Sequence, residues 1–400
     1  MASTGITDTA RAGASTVISP WAVLAAVFLA SVVAVMAQFA APPLMPLLIG
    51  AFGLDLGQAS ALMSVFSITG LVLALPAGLV LSRFGAIATG AVALVAVIVG
   101  SMVAAVAPAY SVLLLGRAVQ GVGVGLIGVV APTVVSGAFP PERRGTPLGI
   151  WSMWVPAGGL TMYLLAPWTA GALGWPAVWW FVAVMAIVAL VVYTLVLGAA
   201  GIGRAPGDNA LATLRVGLAN RDVWLLAIVF GLASTAFGAA NTFLPTFLVE
   251  QRGFALGGAS LVAALVLVGA GIGAVATGAI SDRLGSRRRV FVAASIGAAA
   301  LLPAPFIVGG PLLPVALVAM GLMSGAIPSA IFASVPEVVP GPWLIPAGMA
   351  AIMVGQNLGF VAGPQLFGAV QPAVGWAAAG AVFALAAVGA ALVGWRVRVR

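Results

Sequence analysis

The chain has 400 residues, of which 63% are hydrophobic and only 6% charged. Soluble domains carry about 25% charged residues because their surfaces face water, so a water-soluble globule is excluded. The net charge is +8 and all sixteen basic residues are arginine. With no cysteine and no histidine, disulfides, thiolate metal sites and the commonest imidazole metal ligand are excluded too.

Residues 1–19 read as a polar tail, without a charged-then-apolar leader ending in a cleavage site. Twelve apolar runs follow, each near the length of about 20 residues that crosses a bilayer core as a helix. They lie at 20–49, 57–81, 87–107, 110–136, 147–171, 176–198, 223–249, 257–280, 290–309, 311–333, 343–369 and 373–395. The first carries Gln38 and Pro42. The second ends in "GLVLSRFG" (Gly78–Gly85), with Arg83 and Gly85 at the membrane boundary.

The fourth run contains "GRAVQGVGVGLIGVV" (Gly116–Val130), with Arg117 inside the membrane. Arg117 lies on the order of 10 Å below the end of its helix. A charge at depth costs about 2.5–3.5 kcal/mol unless it faces protein or water. Helical spacing places Arg117, Gln120, Gly121, Val124, Gly125 and Gly128 on one stripe, which suits a face packed on a neighbouring helix beside a cavity. Two readings stand for Arg117. It is a fixed cation for an anionic substrate, or it donates to carbonyls of the first helix that Pro42 and Pro43 leave free.

The fifth run holds "GIWSMWVPAGG", in which Trp151, Trp154, Gly158 and Met162 share a face, and Tyr163 follows. The seventh holds Asn241 and Pro245. The eighth ends in "GAISDRLGSRRR" (Gly278–Arg289), and the eleventh holds Gln356 and Asn357. Gln38, Gln120, Ser152, Asn241, Thr242, Gln356 and Asn357 are pocket candidates, and each also suits interhelical hydrogen bonding. Trp151 and Trp154 are pocket candidates or interface anchors.

Charge orients the spans. With the N-terminus cytoplasmic, fourteen of the sixteen arginines fall on the cytoplasmic side, leaving Arg252 outside and Arg117 in the membrane. The net charge therefore reports topology and lipid headgroups, and no nucleic-acid partner is needed. The chain also repeats itself. The two arginine-bearing loop motifs lie 200 residues apart, "ALGW" (172–175) returns as "AVGW" (373–376), and Gln38/Pro42 returns as Asn241/Pro245. The expected organisation is a tail (1–19), a six-helix bundle (20–198), a cytoplasmic linker (199–222), a second six-helix bundle (223–395) and a basic tail (396–400).

These features resemble the major facilitator superfamily over essentially the whole chain. The loop signature G-x-x-x-D-R-x-G-R-R is matched by Gly278, Asp282, Arg283 and Gly285, with Arg287 and Arg288 one position late. The first copy keeps Gly78, Arg83 and Gly85 but has Ser82 in place of the acid. Arg117, Gln120, Gly121, Gly123 and Gly125 meet the fourth-helix signature R-x-x-Q-G-x-G-x-G, and "PPERRG" (140–145) also fits. The fifth-span stretch is similar to the cyanate/nitroimidazole permease branch. The resemblance implies an all-α fold of two pseudo-symmetric six-helix bundles. It also implies a transporter without cofactor or metal, working by alternating access, with Arg83, Gly85, Asp282, Arg283 and Gly285 as a gate.

No Asp, Glu, His or Lys falls within a predicted span, so coupling uses a span-end acid (Asp55, Glu250 or Glu337), or the protein is a facilitator or exchanger. An enzyme is not expected, since no buried acid–base pair or thiol is present. The sequence leads to a monomeric carrier in the bacterial cytoplasmic membrane, both termini inside, moving a small organic or inorganic anion. Its substrate site would combine Arg117, Gln120, Gln38, Trp151, Trp154, Asn241, Gln356 and Asn357. The alternative is an exporter of apolar drugs or metabolites.

Overall fold

The computed structural model describes residues 18–140, 145–202, 216–284, 286–341 and 344–399. Most of the N-terminal tail and of the 199–222 linker lies outside them. The described residues form helices and turns without strands. Eleven segments are long and apolar enough to cross a membrane. A twelfth long helix, Ile345–Val374, is diluted by Gln356, Asn357, Gln365 and Gln371.

In chain order the spans are α1 (Pro20–Phe39, continued by Met45–Phe52), α2 (56–84), α3 (86–105) and α4 (Tyr110–Ala138). Next come α5 (Gly145–Ser152, continued by Trp154–Leu173) and α6 (Trp175–Ala199). The second set comprises α7 (Arg221–Glu250), α8 (Leu256–Leu284), α9 (Arg287–Leu301, continued by Ala304–Ile307), α10 (Leu312–Val338), α11 (Ile345–Val374) and α12 (Trp376–Gly394).

Local chemistry explains the ends and breaks. Asp55 caps α2, accepting from the Gln58 amide at 2.6 Å while the Gln58 side chain accepts from the Asp55 amide at 3.0 Å. Between α2 and α3 the chain turns on a single residue, Gly85, at φ 81° and ψ 169°, a conformation that glycine adopts without penalty. The repeated tetrapeptides are the same joint: Gly174 (φ 84°) joins α5 to α6 and Gly375 (φ 81°) joins α11 to α12, each followed by tryptophan.

The proline-bearing spans break at some prolines and run through others. α1 passes through a 3₁₀ turn at Pro42–Leu44, where consecutive prolines remove two helical donors. α7 carries its lone Pro245 without interruption to Glu250. α5 breaks at Met153 and α9 at Leu302–Pro303. α10 also runs on to Val338, placing Glu337 in its last turn in an ion pair with Arg287.

Lipid supplies no hydrophobic drive for one helix to leave it for another, so close approach rests on small residues. α4 shows this. A Cβ at Gly121 would strike the Phe66 carbonyl of α2, and one at Gly116 would lie 2.8 Å from the Gly100 carbonyl of α3. Large side chains such as Val72, Leu115, Leu195 and Leu385 instead stand on the outer surface. The first six spans form one bundle and the last six another. They meet where α11 runs along α2 and where α8 runs along α5.

Candidate functional site

A cavity of about 80 Å³ lies at mid-depth between the bundles, room for several waters. From the first bundle it takes Ser152, Trp154 and Pro156 of α5. Most of its wall comes from the second: Phe230, Ser234 and Phe237 of α7, Ser324, Pro328 and Phe332 of α10, Gln356 and Phe360 of α11, and alanines of α8. No lining side chain among the described residues is charged.

On the side nearer the arginine-bearing ends, the wall is aromatic. Trp151 stacks on Trp154 with centroids 5.2 Å apart and meets Phe332 edge-on at 6.1 Å, while Phe230 meets Phe332 at 5.6 Å. The Trp151 Nε1–H donates to Ser31 Oγ at 3.0 Å, and that hydroxyl donates to the Val27 carbonyl, so the stack is tied to α1.

Toward the other end the bundles are directly bonded. Tyr163 of α5, fully buried, donates its hydroxyl to the Asn241 carbonyl of α7 at 2.9 Å. Ser64 of α2 donates to the Val361 carbonyl of α11 at 3.0 Å. A Cβ at Gly368 of α11 would lie 2.7 Å from the Leu56 carbonyl of α2. These contacts close that end.

Arg117 is fully buried but is absent from the cavity wall. Its Nε donates to the Leu62 carbonyl at 2.9 Å. One Nη donates to the Ala37 carbonyl and to Gln120 Oε1 (2.8 Å), and the other to the Gln38 carbonyl at 3.1 Å. Phe66 and Trp179 hold their rings 4.5 and 5.5 Å from the guanidinium carbon. Gln120 passes the network on to Ser101 Oγ at 2.8 Å. The Gln38 carbonyl needs this donor because residue 42, four positions on, is proline. The Asn241 carbonyl stands in the same position relative to Pro245 and takes the Tyr163 hydroxyl. The repeated polar-x-x-x-Pro spacing thus marks two freed carbonyls, each satisfied by a side chain from a different helix.

Of the residues expected to form one substrate site, Trp154 and Gln356 line the cavity, with Trp151 stacked behind Trp154. Arg117, Gln120 and the Gln38 carbonyl form a separate polar cluster joining α1, α2 and α4. Asn357, 8% exposed, bonds the Met353 carbonyl at 2.9 Å. A Cβ on Gly70 of α2 would come 2.9 Å from its Oδ1, so it packs at the α2–α11 seam. Asn241 Oδ1 is buried without a hydrogen-bond partner among the described residues. Of the gate residues, Arg83 is exposed beside Phe84 and Gly85 forms the α2–α3 turn. The side chains of Asp282 and Arg283, and residue Gly285, lie outside the described residues. Ser152, a polar candidate of the fifth span, also lines the cavity, whereas Phe230, Phe237, Phe332, Phe360 and the other lining serines were not foreseen. Their sequence signal is faint, since phenylalanine and serine occur throughout such spans.

The sequence pattern of the Major Facilitator Superfamily matches residues 27–340 and 226–400. The chain belongs to this superfamily. Among curated major facilitator proteins, it is 27% identical to the cyanate transport protein CynX of Escherichia coli (strain K12) over 254 residues, 63% of this chain and 64% of the relative. It is 32% identical to the uncharacterized transporter YhcA of Bacillus subtilis (strain 168) over 121 residues, 30% of this chain and 23% of the relative. A probable multidrug-efflux transporter of Mycobacterium tuberculosis is 29% identical over 211 residues, 51% of this chain and 42% of the relative. The chain spans less than two thirds of the length of each. It is a multi-pass membrane protein of the major facilitator superfamily.

Proposed function

We propose that this transporter moves a small, uncharged, largely apolar organic solute by alternating access through the cavity between its bundles. The observation that carries the reading is the chemistry of the cavity wall: aromatic and small apolar side chains with a few hydroxyls and one amide, and no charge among its described residues. A permanently charged solute entering it would exchange water for an environment without a counter-charge, at a cost of several kcal/mol. Arg117, the cation that would attract an anion, has its guanidinium hydrogens directed at carbonyls and Gln120. Similarity to a probable multidrug-efflux transporter accords with such a solute. The protein acts as a monomer in the cytoplasmic membrane with both termini inside, and the Asp282–Arg283 loop contributes to closing the cytoplasmic face.

A second reading, movement of a small anion, is supported by the similarity to a cyanate transport protein. Counterflow in proteoliposomes separates the two. Neutral aromatic solutes should exchange against one another, and cyanate or small carboxylates should not compete. Exchange driven by cyanate, with neutral solutes inert, would overturn the first reading.

A further inference from the structure

Four residues of the cavity wall stand four positions before a proline: Ser152 before Pro156, Ser324 before Pro328, Phe332 before Pro336 and Phe360 before Pro364. A helical carbonyl is ordinarily bonded by the N–H four residues on, and proline has none. These four carbonyls, on α5, α10 and α11, therefore lack that donor. Pro156 and Pro328 line the cavity themselves, which puts the freed oxygens of Ser152 and Ser324 beside it. In α1 and α7 the corresponding vacancy is filled, by Arg117 on Gln38 and by Tyr163 on Asn241. No side chain among the described residues donates to the carbonyls of Ser152, Ser324, Phe332 or Phe360.

The remaining polar groups do not redress the balance. The hydroxyls of Ser234, Ser324 and Ser329 and the Gln356 amide both donate and accept, and the Trp154 indole is the one lining group that only donates. A cavity with surplus acceptors is completed by a ligand that brings donors. An ammonium would do so only by leaving its charge unpaired, because no lining residue is acidic. A neutral donor carries no such cost.

We propose that the cavity recognises neutral, mostly apolar solutes bearing hydroxyl or amide hydrogen-bond donors, and that the proline-freed carbonyls of Ser152, Ser324, Phe332 and Phe360 are its acceptor set. This rests on the uncharged-solute reading above and adds the polarity of the hydrogen bonds.

Calorimetric binding of three matched probes to the purified full-length protein tests it: 4-ethylphenol, its methyl ether, and the 4-ethylbenzoate anion. The phenol should bind about tenfold more tightly than the ether, the worth of one donated bond. Pro336→Ala and Pro364→Ala, at prolines outside the cavity wall, return an N–H to the Phe332 and Phe360 carbonyls. Each should cut the phenol's advantage severalfold while leaving the ether's affinity unchanged, which also shows that the variant is folded. Equal binding of phenol and ether to the unaltered protein would overturn the inference and leave the uncharged-solute reading standing. Preference for the benzoate over both neutral probes would overturn that reading itself.

Discussion

Tyr163→Phe deletes one oxygen from a fully buried side chain and leaves the ring packing in place. The lost hydroxyl bridges the bundles, donating to the Asn241 carbonyl at 2.9 Å, and Pro245 denies that carbonyl its helical donor. Without Tyr163 the carbonyl is buried and unsatisfied, a penalty of about 1–3 kcal/mol. The penalty falls on the state in which the bundles touch here, because separating them lets water reach the oxygen. The equilibrium should therefore shift toward opening at this end by roughly 5- to 150-fold. The natural chain has no cysteine, so a Thr242→Cys reporter beside Asn241 is silent in the closed state, where residue 242 is 2% exposed. A membrane-impermeant maleimide added to intact cells should label the reporter at least about fivefold faster in the Tyr163→Phe background, the lower bound of that shift. Equal labelling rates in the two backgrounds would refute the reasoning, since the bond would then favour neither state.

Arg117→Gln should lower the midpoint of thermal unfolding sharply, at about 3 kcal/mol or more of stability, because several carbonyls of α1 and α2 lose charge-assisted donors together. Arg117→Lys should rescue only part of this, as an ammonium lacks the planar fork, and neither variant should alter the affinity of solute for protein that remains folded. Asp282→Asn should depress transport at unchanged expression; a normal initial rate in proteoliposomes would limit the arginine-rich loop to setting topology. For orientation, a cysteine at Gly253 should label from outside intact cells and one at Ser3 should not, and the opposite pattern would reverse the membrane sidedness.

Much of the architecture was legible because it is written in local composition. Apolar runs of spanning length, arginines clustered at alternate boundaries and prolines or glycines between them are properties of short windows, and lipid enforces them on each helix separately. The glycines of α4 were legible for a related reason, since close helix approach tolerates few other residues. The "ALGW" and "AVGW" repeats likewise announced equivalent joints, which Gly174 and Gly375 form.

The candidate site was legible only in part. Trp154 and Gln356 reach the cavity, while Asn357, with similar credentials and one position further along, turns to the α2–α11 seam, because neighbouring helical positions point about 100° apart. Both uses of Arg117 were compatible with its sequence. Which groups meet its fork depends on helix packing that brings Leu62 and Ala37, 55 and 80 residues away in the chain, within hydrogen-bond reach. The sequence alone determined that this chain crosses a bilayer many times as paired bundles, because hydropathy, charge and helix-breaking residues act over distances shorter than one span. Only the tertiary structure decided that the buried charge faces helix carbonyls and the central cavity is uncharged, because the partner of a buried polar group is chosen by whichever helix packs against it.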